Sequence, residues 1–393
     1  MTFLQAKPGF RPSNATKLAL LFASMLVLMG AAAVSPALNS MEQELGTSKL
    51  LAAMTISLPS LTVALVGFPL GYIADRVGSA TVLVSSLLLF TVSGFAGYFC
   101  TDIWTLLVTR VFLGIGIAGM GTTATALMGI YYQGDERRRV MALQSAFMGF
   151  GGVVLEALGG VLADISWNTP FLIYLIASPV LVVALVSVRN IAMGDLPQRE
   201  AEQASAGTRR QMAFLFAAIF MLMFTMFVIP SNMSDLLTGM GASMTVCGFV
   251  IAFMGLVQTV TSVLSIRIRM PSRYTTTLAI GFALQTAAMV LISADSLPVI
   301  CTGVGLCGVG MGLNLPTIAN NLSRLSPVAS QGKTMGMFNC MQNLGIFVST
   351  VVVGSMAVAI GYSSAFHVHA AVMAVFSVFA YVFGKRVLGG ASD

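Results

Sequence analysis

Two charged side chains, Arg110 and Glu156, lie well inside long apolar runs of the sequence, where a charge needs a partner and suggests a function. Arg110 follows Asp102 by about eight residues, or roughly 12 Å of helix. Glu156 precedes Asp164 by a similar distance. If both aspartates lie at the outer face of the membrane, the two buried charges lie at the same depth below that face, on consecutive antiparallel helices. They are therefore predicted to be able to pair.

Three interpretations of these two charges stay open. In the first, Arg110 and Glu156 form a static salt bridge that holds two helices together. In the second, Glu156 exchanges a proton while Arg110 biases its pKa or binds an anionic group. In the third, the two side chains never meet.

Neutral polar side chains in the apolar runs are candidates for lining a substrate cavity. These candidates, with one methionine added because flexible thioethers suit varied apolar ligands, are Asn39, Gln258, Asn314, Asn339, Gln342, Asn343 and Met226. The alternative is that the amides only hydrogen-bond neighbouring helices. Asn339 and Asn343, one helical turn apart, are the best pair. His367 and His369 are expected at the polar edge of the last span.

The segment Gly71–Gly78, GYIADRVG, carries the only charges between Lys49 and Asp102. It lies between two long apolar runs, so it predicts a short loop that joins two membrane spans on one side. Its candidate residues for conformational gating are Gly71, Asp75, Arg76 and Gly78.

The composition predicts an all-α protein that crosses a membrane many times. Of 393 residues, 57% are hydrophobic and 9% are charged, whereas soluble domains carry about 25% charged residues. Apolar runs long enough to span a bilayer recur as twelve candidate helices, over 17–38, 48–73, 79–99, 103–131, 138–163, 167–188, 211–231, 243–267, 274–294, 298–323, 331–359 and 364–386.

The polar segment 189–210 is predicted to be a cytoplasmic linker between two six-helix halves, 1–188 and 211–393. With both termini inside, every Lys and Arg except Lys49 and Arg110 lies at the cytoplasmic face, as the positive-inside rule requires. The halves also resemble each other, because a shift of 194 residues aligns Gly114 with Gly308 and Gly116 with Gly310. Duplicated halves predict a substrate site near mid-membrane between them.

Several function classes lack their motifs in this sequence. There is no P-loop, no H-E-x-x-H and no G-x-S-x-G, and the five cysteines lack close metal-site spacing. We therefore expect no catalytic residue, no metal and no cofactor. The net charge of +6 sits in short loops, without a basic aromatic face, so nucleic acid is not an expected partner.

The Gly71–Gly78 segment resembles the loop between helices 2 and 3 of the major facilitator superfamily, whose signature is Gly-x-x-x-Asp-Arg-x-Gly followed by basic residues. Ser79-Ala80 stand in the basic positions here. Segment 109–116, TRVFLGIG, is similar to the superfamily's helix 4 motif, whose Arg is linked to proton transfer in many exporters. Segment 155–160, LEALGG, keeps the final glycine pair of the exporters' Gly-Pro-x-x-Gly-Gly motif but has Leu155-Glu156 in place of Gly-Pro.

The resemblance implies twelve transmembrane helices in two pseudo-symmetric six-helix bundles. It also implies that Asp75 helps to lock one conformational state, against a helix N-terminus where an anion is favoured. The expected function is proton-coupled antiport that exports an apolar or amphipathic solute from the cytoplasm by alternating access. Uptake of a small organic acid, with Arg110 on its carboxylate, is the alternative, and a membrane-embedded enzyme or sensor is a remote one. The expected partners are a small-molecule substrate, protons and lipid, with the chain a monomer in the inner membrane.

Overall fold

The structure is a computed structural model that describes residues 4–5, 10–32, 34, 37–163, 165–191, 206–241, 244–267, 274–294 and 296–388, with only the backbone at some helical positions. The described residues are almost entirely helical. Their helices are α1 (Asn14–Ala32), α2 (Leu38–Glu44), α3 (Lys49–Val77), α4 (Ser79–Ala96), α5 (Ile103–Tyr131), α6 (Gly134–Ala163), α7 (Ala177–Ser187), α8 (Ala206–Gly239), α9 (Met244–Arg267), α10 (Tyr274–Ile292), α11 (Leu297–Leu325), α12 (Gln331–Ile360) and α13 (Tyr362–Leu388).

Eleven helical segments of the described residues are long and apolar enough to cross a membrane, and a further apolar helix over Asn14–Val27 is shorter. This confirms the predicted all-α, multi-pass membrane class. The first span differs from the helix predicted over 17–38, because α1 ends at Ala32 and the short helix α2 begins only at Leu38.

The sixth span also differs from the single helix predicted over 167–188. It begins as a 3-10 helix, Thr169–Ile176, and continues as α7. Residues three apart lie on the same side of a 3-10 helix, so Phe171 and Tyr174 face the same way with their rings 6.4 Å apart and nearly parallel. Hydrophobicity alone does not reveal this change of helix type.

Helix ends in the first half follow local capping chemistry. The Ser48 hydroxyl accepts the N–H of Leu51 at the start of α3. At the start of α5, the hydroxyl and the N–H of Thr105 donate to the Asp102 carboxylate, and these bonds hold the pKa of Asp102 below its ordinary value. Between α3 and α4, Gly78 adopts a φ of +105°, a conformation that favours glycine.

The chain divides into two compact units. The first contains Met1–Val140, Phe150–Glu202 and Leu322–Asn343, and the second contains Met141–Gly149, Gln203–Asn321 and Leu344–Asp393. Segments of α6 and α12 thus belong to the unit opposite to their sequence half. The halves 1–188 and 211–393, with the linker 189–210, stay a prediction.

Glycines aligned by the 194-residue shift make equivalent contacts inside their own units. A Cβ added at Gly114 would lie 2.8 Å from the carbonyl oxygen of Pro59 in α3, and one at Gly308 would lie 2.7 Å from that of Met254 in α9. Likewise, Gly116 packs on Phe90 of α4 and Gly310 on Gln285 of α10. The three-helix arrangement around each glycine row, α3–α4–α5 in the first unit and α9–α10–α11 in the second, is therefore repeated, as the sequence similarity suggested.

Candidate coupling and gating sites

Arg110 is completely buried at the centre of an aromatic pocket. Its guanidinium carbon lies 4.7 Å from the ring centre of Phe171 and 5.3 Å from that of Tyr174, within cation–π range. Nη1 donates to the Tyr174 hydroxyl at 3.2 Å, and Nη2 to the carbonyl oxygen of Gly94 at 3.4 Å. Nε donates to the Thr109 hydroxyl at 3.3 Å.

Two glycines leave the room that this pocket needs. A Cβ at Gly97 would lie 2.6 Å from Nη2 of Arg110, and one at Gly94 would lie 2.4 Å from Cγ of Tyr174. Cys100 interacts electrostatically with Arg110, and burial raises the pKa of its thiol, so it stays neutral. The described hydrogen-bonding and ring partners of Arg110 are thus all uncharged. A buried cation in such a setting can bias the ionisation of a nearby carboxyl group or bind an anion.

The side chain of Glu156 lies outside the described residues, although its backbone is part of α6. Pairing between Glu156 and Arg110 therefore stays a prediction. The described contacts of Arg110 run to α4 and to the 3-10 helix of the sixth span.

Asp75 caps the N-terminal turn of α12. Its Oδ1 accepts the N–H of Gly332 at 2.7 Å, and its Oδ2 accepts the N–H of Lys333 at 2.8 Å. These N–H groups have no partner within their own helix, and a carboxylate is favoured at this helix end. The contact with a helix N-terminus is the one that the sequence suggested, while the gating role of Asp75 stays a prediction.

Glycines let α3 and α12 approach closely beside this contact. A Cβ at Gly71 would lie 2.2 Å from the carbonyl oxygen of Gly332, and one at Gly336 would lie 2.5 Å from that of Gly67. Arg76 is exposed, and its guanidinium lies 4.4 Å from the ring centre of Tyr72. Of the four predicted gating residues, Gly71, Asp75 and Arg76 lie in the last turns of α3, and Gly78 alone connects α3 to α4. The loop predicted over Gly71–Gly78 is therefore wrong, because the helix continues through the polar residues up to the glycine with positive φ.

The amides Asn339 and Asn343 lie one turn apart on α12, and Asn339 contacts another helix. Asn339 donates to the carbonyl oxygen of Ala118 in α5 at 3.1 Å, and Asn343 donates to the carbonyl oxygen of Asn339 at 3.0 Å. Gln342 is also buried. Their contacts fit the interpretation that membrane amides bond neighbouring helices, and their lining of a cavity stays a prediction.

The other cavity candidates lie apart from this pair. Gln258 is buried and donates to the carbonyl oxygen of Ser145 at 3.4 Å. Asn314 is buried beside Gly281, and its Oδ1 has no hydrogen-bond partner in the described part of the chain. Met226 is partly buried against the hydrophobic core of the second unit. The side chain of Asn39 lies outside the described residues.

Two features were missed by sequence reasoning. His369 is 3% exposed and its Nε2 lies 3.1 Å from the Thr225 hydroxyl, so its predicted place at a polar edge is wrong. Its packing between α8 and α13 is tertiary and leaves no local signal. Asn190, which follows α7, is 7% exposed although it lies within the predicted polar linker 189–210.

The sequence profile described as Major Facilitator Superfamily matches residues 20–292 and 214–389. The chain belongs to this superfamily. Family and fold are those of transporters, which are not enzymes.

Relatives in the superfamily include tetracycline resistance proteins and a niacin transporter. The chain is 28% identical over 203 residues to the class C tetracycline resistance protein of Escherichia coli, covering 51% of this chain and 48% of the relative. It is 29% identical over 119 residues to the niacin transporter NiaP of Acinetobacter baylyi, covering 29% of this chain and 27% of the relative. These matches thus span less than half of either relative. The class H tetracycline resistance protein of Pasteurella multocida is 23% identical over 375 residues, covering 89% and 90%.

Solved structures confirm the major facilitator fold. The human organic anion transporter MFSD10 superposes with a TM-score of 0.80 over 94% of this chain and all of its own, at 16% identity. The predicted architecture of two pseudo-symmetric helical bundles is therefore correct. At 16% sequence identity, the similarity is evidence for the fold alone.

Proposed function

We propose that this superfamily member is a secondary active transporter that exports a small apolar or amphipathic compound by proton-coupled antiport. The observation that carries the proposal is the bond of Asp75 to the first turn of α12. A carboxylate at a helix N-terminus contributes about 0.3–2 kcal/mol. A bond of that size holds one conformation while allowing the alternation that transport requires.

Export is supported by the tetracycline resistance relatives, one of which aligns along most of both chains. Proton coupling is supported by Arg110, whose uncharged described partners leave its charge available to bias a nearby carboxyl group. In this proposal Glu156 binds and releases the proton, and Arg110 favours its ionised form. The amide and methionine candidates line the path of the solute.

The alternative is uptake of a small organic acid. It is favoured by one specific observation, the completely buried Arg110 guanidinium, which can bind a carboxylate. A niacin transporter among the relatives fits the same chemistry.

The proposed setting is the inner membrane, with both termini in the cytoplasm, with surrounding lipid and protons as partners and the chain as a monomer. It rests on the distribution of Lys and Arg, which are almost all predicted on one face. Labelling of a cysteine added at either terminus in right-side-out vesicles tests this orientation. Labelling by a membrane-impermeant reagent without permeabilisation would contradict it.

Transport by the purified full chain in proteoliposomes tests the function. A pH gradient is imposed, and proton movement and uptake of the probe are followed together, first with tetracycline and then with nicotinate. The proposal expects tetracycline to move protons in the wild type. It expects Glu156→Gln to lose proton coupling while still exchanging tetracycline across the membrane.

Two outcomes decide between the alternatives. Proton movement driven by nicotinate, with no proton movement driven by tetracycline, would favour the uptake of an organic acid. Unchanged coupling in Glu156→Gln would reduce the Arg110–Glu156 pair to a structural role, and the proton site would lie elsewhere.

A further inference from the structure

We propose that Asn190 is a positioning residue for the gating segment, defined as Gly71–Gly78 at the end of α3, and that it sets the reach of Asp75 toward α12. This inference rests on the proposed function, because it assigns a residue to the gating step of transport. The sequence motifs do not point to Asn190. This residue lies just after the sixth span and is distant in sequence from the gating segment.

Asn190 supplies the cap that α4 lacks. The residue before α4 is Gly78, which has no side chain to accept the free N–H groups of the first turn. Oδ1 of Asn190, 110 residues further along the chain, accepts the N–H of Ala80 at 2.8 Å. Its Nδ2 donates to the Thr81 hydroxyl at 2.9 Å. One amide thus uses both its oxygen and its nitrogen on the start of α4.

The residues around Gly78 leave space for this amide. A Cβ at Gly78 would lie 2.4–2.6 Å from the Oδ1, Cγ and Nδ2 atoms of Asn190. Ala80 is completely buried under the same contact. Ser79 and Ala80 occupy the places where the superfamily signature has basic residues, and both are buried, so the space around them does not suit a long basic side chain. The small residues after Gly78 therefore belong with an amide cap.

The backbone of Asn190 and of the residues just before it is hydrogen-bonded from three directions. Its N–H donates to the carbonyl oxygen of Leu4 at 2.6 Å. The Tyr131 hydroxyl, at the end of α5, accepts the N–H of Arg189 at 3.0 Å and donates to the carbonyl oxygen of the same residue. The Thr16 hydroxyl of α1 donates to the carbonyl oxygen of Ser187 at 2.9 Å. Because this backbone is anchored, the Asn190 side chain can hold the α3–α4 corner in one position.

The cap bears on Asp75 through a short stretch of backbone. The N–H of Gly78 bonds the carbonyl oxygen of Ala74 at 2.9 Å, and the N–H of Val82 bonds the carbonyl oxygen of Gly78 at 3.2 Å. Asp75 lies in the last turn of α3, between these contacts and the N–H groups of Gly332 and Lys333. Fixing the α3–α4 corner therefore fixes the origin of the Asp75 carboxylate.

Hydrogen–deuterium exchange of the full chain in lipid nanodiscs, without any solute, tests this inference. In Asn190→Ala, exchange is expected to rise about tenfold at residues 78–82, because Ala80 loses its acceptor. It is also expected to rise several-fold at residues 331–334, because Asp75 no longer reaches their N–H groups reliably. A cap with a purely local role would change only the first peptide.

Two further variants control the experiment. Asn190→Asp keeps an acceptor for Ala80 and can accept the Thr81 hydroxyl, and its charge suits a helix N-terminus, so both peptides should regain protection. Asn168→Ala removes an equivalent amide bond, to the carbonyl oxygen of Tyr98 at the far end of α4, and should leave both peptides unchanged.

Unchanged exchange at 331–334 in Asn190→Ala, or failure of the aspartate variant to restore it, would overturn the inference. The result is independent of transport. If Asp75→Ala transports as fast as the wild type while Asn190→Ala still exposes 331–334, the gating function fails and the positioning by Asn190 stands.

Discussion

Arg110 shows how a fully buried charge can be held by neutral groups. Its guanidinium lies within cation–π range of two rings and donates to a hydroxyl and a carbonyl oxygen. Hydrogen bonds from charged groups contribute more than neutral ones, and each donor left unpaired in this setting is costly. The pocket is therefore expected to be sensitive to the loss of a single oxygen atom.

Removal of the Tyr174 hydroxyl tests this pocket. Tyr174→Phe keeps the ring beside Arg110 but leaves Nη1 without its acceptor, so it should destabilise the protein by about 1.5–3 kcal/mol. Thermal unfolding of the purified protein in detergent measures the effect. Tyr98→Phe is the matched control, because the Tyr98 hydroxyl makes no hydrogen bond within the described residues. Equal melting temperatures for the two variants would contradict the prediction.

The Asp75 carboxylate predicts a graded series. Asp75→Asn loses the charge but keeps an oxygen for one N–H of α12, whereas Asp75→Ala loses both bonds. Turnover in proteoliposomes should therefore fall from the wild type to Asn and further to Ala, by up to about tenfold per step, since 1.4 kcal/mol is a factor of ten in a two-state balance. Turnover in Asp75→Ala equal to the wild type, at unchanged melting temperature, would remove Asp75 from the gating step.

At the residue scale, the sequence revealed the charges but not all their partners. A charge inside an apolar run is visible without a structure, which is why Arg110 stood out. The contact of Asp75 with a helix N-terminus was implied by the resemblance to the superfamily signature. The aromatic pocket of Arg110 could not be anticipated, because Phe171 and Tyr174 come from a segment about 60 residues away and depend on a 3-10 helix. Asn190 left no signal, because an asparagine within a polar linker looks like an ordinary surface residue.

At the scale of elements, the close approach of α3 and α12 depends on glycines in both helices. Gly71→Ala would bring a Cβ to 2.2 Å from a backbone oxygen of Gly332, which only a shift of a whole helix can relieve. Such overpacking costs about 1–3 kcal/mol, although alanine alone favours a helix interior by about 0.5–1 kcal/mol over glycine.

A comparison of Gly71→Ala with Gly152→Ala should therefore show a change in transport without a change in helix content. Gly71→Ala is expected to separate α3 from α12, to expose the N–H groups that Asp75 caps and to lower turnover severalfold. Gly152→Ala, where nothing lies within 4 Å of the added Cβ, should match the wild type. Proteoliposome turnover, with circular dichroism to verify helix content, measures both. Full activity in Gly71→Ala would show that this close approach is dispensable.

At the scale of the whole molecule, hydrophobicity and charge were enough to predict a many-helix membrane protein, and the structure and comparisons confirm that class and its superfamily. Runs of about 20 apolar residues can hardly fold otherwise in a membrane. Helix ends and irregular segments were less predictable, as α1 and the sixth span show, because caps and 3-10 turns depend on individual residues rather than average hydrophobicity.

The repeated glycine rows lead to a prediction for the molecule as a whole. Gly114 packs on Pro59 and Thr62, and Gly308 packs on Met254 and Val257, at equivalent places in the two repeats. If the halves arose by duplication and kept the same close helix packing, Gly114→Ala and Gly308→Ala should each destabilise the protein by about 1–3 kcal/mol.

Each of these variants has a control in the same compact unit. Gly160→Ala and Gly248→Ala add a methyl group where nothing lies within 4 Å, so their melting temperatures should stay at the wild-type value or rise slightly. Thermal unfolding of all four proteins in one detergent makes the comparison. Because α5 packs on α3 as α11 packs on α9, equal losses would indicate that both repeats depend on the same small-residue contact. A loss in one variant alone would mean that the other row has space to adjust, and that the symmetry of the glycines is not a symmetry of packing energy.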